Sequence, residues 1–389
     1  MSEAPKTVFA THRVAVCIGL AVLFATACGM SAQGQQPPAQ AGAPAPAASA
    51  AQPASAARAP AWIPVARVAG RLTAKDIGLV INTADPYSVE VGEFYARARK
   101  LAPQQILRVE LPVRAALTAD EFRAFDKRVV THFGVDVQAL ALAWTQPYAV
   151  DCNSITGALA LGFDGELCKR SCDPPLRHSP YFNSTSTRPY ADLGVRPSML
   201  LAAPDVASAK ALILRGVAAD RSLGLKGGLP VNAYFVATDD RARNVRALLF
   251  PPAGPQARVG IDVRVVHASA LDDPERVVLY LTGLASVDKL DRVQWVPGAL
   301  ADHLTSFGGQ LGGGGGQMNA LAWIASGATA SYGTVSEPCN HLQKFPHPQV
   351  LLLQYVQGVT AIEAYWRSVA WPQQGVFIGE PLAAPFARR

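Results

Sequence analysis

The strongest restriction on the fold comes from the alternation of short apolar runs with amphipathic segments. Residues 77–83 (IGLVINT), 106–111 and 139–144 (ALALAW) are continuous apolar runs of the length and composition typical of buried strands. Between them, Asp85-Pro86 marks one helix start, and Thr118 with Glu121 forms a capping-box pattern at another. Strands that are apolar along their whole length, separated by helices, predict a parallel sheet covered on both faces.

The same alternation resumes after residue 198. We predict strands over 199–203, 233–238, 263–267, 277–282, 328–335 and 375–378, helices over 206–219, 318–326, 350–357 and 361–369, and a helical turn over 300–304. Half of the 389 residues are hydrophobic, which is enough for a sizeable core. The sequence therefore predicts an α/β fold over residues 64–389, largely parallel, with caspase-like or flavodoxin-like order. It forms one domain or two halves (64–197 and 198–389).

The N-terminus is typical of an export signal over residues 1–28. Lys6 and Arg13 precede an apolar run over 14–27 that is too short to span a bilayer. The small residues before Cys28 resemble a lipobox, so Cys28 is a candidate for lipidation. The alternatives are simple cleavage after Ala27 or Ala32 and an uncleaved anchor. Residues 29–63 are rich in Ala, Pro and Gln and predict a flexible linker. We expect an exported protein that is periplasmic, extracellular or held at a membrane by a lipid anchor.

The charge pattern argues against a nucleic-acid partner. The formal net charge is +6, but the basic residues are scattered along the chain. The tightest group is Arg241, Arg243 and Arg246, and no basic run is interleaved with aromatic residues. We therefore expect no nucleic-acid binding.

Four cysteines follow the signal, and three of them lie in a polar, Pro-rich insertion over residues 145–197. An even number in an exported chain predicts disulfides among Cys152, Cys168, Cys172 and Cys339, with three pairings possible. The alternative is a metal site built from Cys168, Cys172, Cys339 and His341. A bridge from Cys339 would tie the insertion, which follows the third strand, over a ligand crevice at the sheet edge.

Residues 303–317 (HLTSFGGQLGGGGGQ) are the most glycine-rich stretch. They contain no Lys and no phosphate-loop spacing, so we predict no nucleotide site here. We expect no other cofactor. A sharp turn could instead present Ser306 as a nucleophile, with His303 as base and Asp302 orienting the imidazole. The alternative is that Asp302 caps a helix and His303 is a packed or surface residue.

Several blocks, in order, resemble an uncharacterised exported family from bacteria that carry exosortase, the proposed processing enzyme of PEP-CTERM proteins. The blocks are INTADPYSVEVGEFYARAR (81–99), CNSITGALALGFD (152–164), FVATDDRARNVRALLF (235–250), YLTGLAS (280–286), ADHLTSFGG (301–309), IASGATASYGTVSEPC (324–339), LLQYVQGVTAIEAYWRSV (352–369) and IGEPLAAPF (378–386). This resemblance implies a role in exosortase-type protein sorting.

The C-terminal half also resembles gingipain-like cysteine peptidases, which have a caspase-like fold. Thr282-Gly283 stands where the family has His-Gly, and Thr305-Ser306 where it has Ala-Cys; Gly327-Ala328 and Gly379-Glu380-Pro381 match the remainder. This resemblance implies that both members of the peptidase dyad are replaced. A Ser hydroxyl facing a Thr hydroxyl has no base of suitable pKa.

The candidate binding residues are polar positions near predicted strand ends, namely Asn82, Asp85, Thr282, Glu337 and His341. Cys339 and His341 could also form a nucleophile and base of their own. The leading hypothesis is a non-catalytic binding or assembly factor with a protein, peptide or glycan ligand. The alternatives are a hydrolase using Ser306 with a His, and a ligand-binding lipoprotein that uses the insertion as a lid.

Overall fold

The computed structural model describes residues 61–313 and 316–388. The predictions for the signal peptide, for lipidation of Cys28 and for residues 29–60 of the linker lie outside these residues. Residues 61–73 contain no helix or strand. Within the described ranges, no helix combines the length and hydrophobicity needed to cross a bilayer.

In the described part of the chain, eleven strands form one mixed, mostly parallel sheet, and three two-residue strands form a small second sheet. The strands are β1 (Ile77–Asn82), β2 (Ile106–Val109), β3 (Ala116–Leu117), β4 (Ala139–Leu142), β5 (Ala149–Val150), β6 (Asn153–Ser154), β7 (Ser198–Leu200), β8 (Val231–Ala237), β9 (Gly254–Gln256), β10 (Ile261–His267), β11 (Val277–Gly283), β12 (Trp295–Leu304), β13 (Ala330–Thr334) and β14 (Gly375–Gly379). The order in the large sheet is β2-β1-β4-β7-β14-β13-β12-β11-β8-β10-β9.

The direction of the strands reverses in the middle of the large sheet. β14 pairs parallel to β7 but antiparallel to β13, and β13, β12, β11, β8 and β10 are parallel to one another. We call each of the two rows of strand ends a long edge of the sheet. The carboxyl ends of β1, β4 and β7 therefore lie on one long edge, and those of β8, β11, β12 and β13 lie on the other. This reversal decides which of the predicted site residues share an edge.

Helices flank the sheet, as predicted. They are α1 (Pro86–Arg99), α2 (Ala119–Phe133), α3 (Ile155–Leu161), α4 (Glu166–Lys169), α5 (Pro189–Leu193), α6 (Val206–Ala219), α7 (Leu321–Ser326), α8 (Pro348–Tyr355) and α9 (Ala361–Ser368). Asp85 caps α1, and the capping box of Thr118 and Glu121 begins α2. β1, β11 and β14 are buried at every position, which explains their unbroken apolar sequences.

One element was predicted wrongly. Residues 300–304 are the last half of β12, not a helical turn, and Asp302 therefore caps no helix. β12 pairs with β11 on one side and with β13 on the other, and its residues 298–304 are all buried. A strand buried on both faces has no alternation of polar and apolar residues to distinguish it from a short buried helix.

Two disulfides hold the insertion, which confirms the disulfide prediction. Cys152 pairs with Cys168 inside the insertion, and Cys172 pairs with Cys339 in the segment after β13. The metal-site alternative is wrong because three of its four ligands are consumed by these bonds. Ser336 Oγ donates to the Cys152 carbonyl at 2.7 Å, and Lys344 Nζ donates to the Ser171 carbonyl at 2.6 Å. Paired cysteines of this kind indicate an oxidising, extracellular or periplasmic environment.

Candidate functional site

The turn that carries Ser306 follows the carboxyl end of β12 and is held against β13. Thr334 Oγ1 donates to the carbonyls of Thr305 and Ser306 at 3.1 and 2.9 Å. A Cβ on Gly309 would lie 2.5 Å from the carbonyl oxygen of Gly333, so the two backbones touch directly. The first part of the glycine-rich stretch is therefore a tight, fixed turn, and here glycine is required by close backbone approach. Ser306 itself is partly exposed at this turn.

His303 belongs to the core behind the turn. Its Nδ1 accepts a hydrogen bond from Trp323 Nε1 at 2.9 Å, and its Nε2 donates to the Met318 carbonyl at 2.9 Å. The side chain is 1% exposed, and burial lowers its pKa to about 4. Both ring nitrogens are occupied, so His303 has no free lone pair with which to take a proton from Ser306. Of the two interpretations of His303, the packed residue agrees with this geometry.

Asp302 is paired with Arg246 and not with His303. Arg246 Nη1 lies 2.5 Å from Asp302 Oδ1, and both side chains are almost fully buried. Burial raises the pKa of the Asp302 carboxyl, and the Arg246 charge partly opposes this. Neighbouring residues of a strand point to opposite faces of the sheet, so Asp302 and His303 face different ways. The structure therefore does not assemble the predicted triad of Ser306, His303 and Asp302.

A polar network that sequence reasoning missed surrounds the turn. Thr305 Oγ1 donates to Gln317 Oε1 at 2.6 Å and accepts from Arg243 Nε at 3.1 Å. Arg243 also pairs with Asp240 at 2.9 Å, and the Phe307 amide donates to Gln317 Oε1 at 2.9 Å. The described residues offer Ser306 Oγ no hydrogen-bond partner of their own. The sequence signal for this network is the group of Arg241, Arg243 and Arg246.

The five predicted binding residues do not share one edge of the sheet. Asn82 ends β1 and Asp85 follows it on one long edge. On the other long edge, Thr282 lies at the end of β11, and Glu337 and His341 follow β13. Asn82 is fully buried and exchanges hydrogen bonds with the Leu111 backbone. Asn82 and Asp85 thus have structural partners, and the reversal between β13 and β14 separates them from the turn.

The three predicted residues on the edge that carries the turn also contact other groups of the fold. Thr282 is buried, and its hydroxyl donates to the Val236 carbonyl at 3.0 Å. Glu337 accepts a hydrogen bond from the Cys339 amide at 2.8 Å, and the His341 ring lies 5.7 Å from that of Trp371. The proposed pair of Cys339 as nucleophile and His341 as base is wrong, because a disulfide sulfur has no thiolate to offer.

The chain was compared with family models, curated proteins and solved structures. No family model and no curated protein matches the chain. The chain is similar in structure to the Arg-specific cysteine proteinase gingipain R, with 11% sequence identity and a TM-score of 0.43. The similarity covers 80% of this chain and 78% of that one.

The buried imidazole predicts a pH dependence of stability. The folded state holds the pKa of His303 at about 4, below the ordinary 6.5, so between these values only the unfolded chain binds the proton. The free energy of unfolding should therefore fall as pH decreases through this window, with His303 contributing about 3 kcal/mol of the loss. Urea unfolding of the wild type and of His303→Gln across this range measures that share. An unchanged pH dependence in the variant would contradict it.

Proposed function

We propose that this protein is a non-catalytic, exported binding or assembly factor with a degenerate peptidase-like site, acting in exosortase-type protein sorting. The observation that carries the proposal is the double hydrogen bonding of His303, the imidazole nearest in sequence to Ser306. A serine hydroxyl attacks at neutral pH only when a base accepts its proton. His303 cannot serve as that base, because its Nδ1 accepts a hydrogen bond from Trp323 and its Nε2 donates one to the Met318 carbonyl.

The second dyad position supports the same conclusion. Thr282 stands where the gingipain-like sequence pattern has its His, and its hydroxyl is turned to the backbone of β8 by the bond to Val236. A threonine hydroxyl has no proton affinity in the range that general base catalysis needs. Ser306 is thus flanked by groups that fix the fold and not by groups that move protons.

The turn is well suited to recognition. It is rigid, because the Thr334 bonds and the contact between Gly309 and Gly333 fix its backbone. Beside it, Arg243 and Asp240 form a partly exposed ion pair, with side chains 26% and 23% accessible. Fixed polar groups on a rigid edge reduce the conformational entropy lost when a ligand binds. The link to sorting rests on the sequence blocks shared with the exported family, and it makes an exported protein or peptide the partner class.

The proposal predicts that replacing Ser306 changes neither the stability of the protein nor its role in sorting. The purified full chain should not react with a fluorophosphonate probe, and Ser306→Ala should change the free energy of unfolding by less than about 0.5 kcal/mol. In a strain lacking the protein, the Ser306→Ala chain should restore surface delivery of a reporter with a PEP-CTERM signal as fully as the wild type does. Ser336→Ala, at another partly exposed serine, is the control for labelling.

Two results would overturn the proposal in different ways. Strong labelling that disappears in Ser306→Ala, but not in Ser336→Ala, would establish a serine hydrolase. Normal reporter delivery in the strain that lacks the protein would remove the sorting role and leave the non-catalytic assignment standing.

A further inference from the structure

A groove lies on the other long edge of the sheet from Ser306, beside the amino ends of β8 and β10. It consists of two adjoining cavities of about 620 and 590 Å³ that share Val259, Val356 and Arg388 in their walls. The loop before β8, the loop before β10, the segment after β14 and the segment before β1 all contribute. It is separate from the Ser306 turn, which follows the carboxyl end of β12.

The walls of this groove carry a large excess of positive charge. Six basic residues line it, namely Arg67, Arg71, Arg221, Lys226, Arg258 and Arg388. Among the described residues of its walls, the one acidic residue is Asp220, which is already paired with Arg99 at 2.6 Å and accepts a hydrogen bond from the Ala384 amide. The groove therefore has six cations and no free acid among the described residues.

None of the six basic side chains makes an ion pair or a hydrogen bond within residues 61–313 and 316–388. Several arginines elsewhere in the fold do have an acidic partner, such as Arg99 with Glu380, Arg246 with Asp302 and Arg367 with Glu363. Like charges brought together without partners repel one another, and they favour a bound anion that neutralises them. Guanidinium groups in particular offer paired N–H donors that match carboxylate geometry.

This basic cluster is not apparent from the sequence. Its members come from four separate segments, each with one or two basic residues, so the basic residues are scattered along the sequence. The linker does not complement it, because residues 29–60 contain no Asp or Glu. An anion that fits the groove must therefore come from outside residues 29–60.

An apolar cavity of about 450 Å³ continues the groove and shares Arg258, Val259 and Val356 with it. Its other walls include Trp62, Ile261, Leu352 and Leu353. A peptide places carboxylates and apolar side chains along one extended chain, whereas a polyanionic glycan has no apolar side chains to fill this cavity. A bilayer surface would meet the rim and would not enter two successive cavities.

From this combination we propose that the groove binds an acidic, extended peptide segment with apolar residues next to its carboxylates. The proposal goes beyond the Ser306 assignment, since it concerns a different edge of the sheet and stands or falls independently of it. Binding should weaken steeply with added salt, because the contacts are between solvent-accessible charges.

The test measures fluorescence anisotropy of a labelled synthetic peptide, Glu-Glu-Glu-Glu-Leu-Leu-Trp, against the full exported chain. Arg221→Glu with Arg258→Glu should weaken binding by about 30-fold or more, since each reversal removes an attraction and adds a repulsion. The matched control is Arg97→Glu with Arg188→Glu, which changes net charge equally at exposed positions outside the groove. The control should weaken binding less than about threefold.

Competition experiments distinguish an acidic peptide from other anionic ligands. A peptide with Gln in place of every Glu should not bind, and neither heparin nor vesicles of anionic phosphatidylglycerol should compete as well as the Glu peptide does. No binding of the Glu peptide, equal weakening by both double variants, or better binding to heparin or vesicles would each overturn the proposal. Thermal unfolding of both double variants verifies that they are folded to the same extent.

Discussion

Replacing Arg246 with Met is expected to lower the free energy of unfolding by about 3–5 kcal/mol. The Arg246 guanidinium lies 2.5 Å from Asp302, and the two side chains are 2% and 1% exposed. Its Nη2 also donates to the Thr282 carbonyl at 2.8 Å, which ties β11 and β12 to the segment after β8. Methionine fills similar space but leaves the Asp302 carboxylate buried without a counter-charge, and an unpaired buried charge is strongly destabilising.

The pH dependence of this effect identifies its cause. In the wild type, burial raises the pKa of Asp302 and Arg246 opposes the rise, so removing Arg246 should raise that pKa further. A raised folded pKa means that folding favours the protonated carboxyl, and its stabilisation is lost as pH increases through that pKa. The deficit of Arg246→Met relative to the wild type should therefore be smaller at about pH 5 than at about pH 8.

Urea unfolding measures both effects, and the chain supplies its own control. Arg241 lies in the same basic group but is exposed, so Arg241→Met should change stability by less than about 0.5 kcal/mol. The double variant Arg246→Met with Asp302→Leu should recover much of the loss, because it removes both charges. Equal losses in Arg246→Met and Arg241→Met would contradict a buried ion pair.

Local patterns in the sequence were sufficient for most elements of the fold. The helix over 206–219 has the predicted bounds, and the capping box of Thr118 and Glu121 begins α2 as predicted. These elements are set by contacts within a few residues, which is the range that periodicity and capping report. β12 was missed because its buried half contains Asp302 and His303, so it shows neither a continuous apolar run nor an alternation of polar and apolar residues.

The site was predictable only in part, for a related reason. The glycine spacing indicated a tight turn at Ser306, and the turn is present. The role of His303 depends on Trp323, which lies on α7 and follows it by 20 residues in the sequence. The separation of Asn82 from Thr282 depends on one antiparallel pairing between β13 and β14, which no local pattern encodes. The basic groove likewise exists only after four distant segments meet.

Removing the Cys172–Cys339 disulfide should destabilise the fold more than removing Cys152–Cys168. The first bond joins residues 167 positions apart and the second joins residues 16 apart. In the chain-entropy model a crosslink restricts the unfolded state more when it closes a longer loop, giving about 5 kcal/mol for the first bond and about 3 kcal/mol for the second. The Cys172–Cys339 bond also joins the insertion to the segment after β13, so its loss should make both segments more mobile.

Paired substitutions provide the cleanest measurement, since a single Cys→Ser change leaves a thiol that can exchange with the remaining disulfide. We would compare Cys172→Ser with Cys339→Ser against Cys152→Ser with Cys168→Ser by urea unfolding without reductant. Each double variant keeps the other bridge intact, so each serves as the control for the other. If the short-loop variant lost as much stability as the long-loop variant, restriction of the unfolded chain would not be the source of the stabilisation. The effect would then come from contacts that both bridges make within the folded insertion.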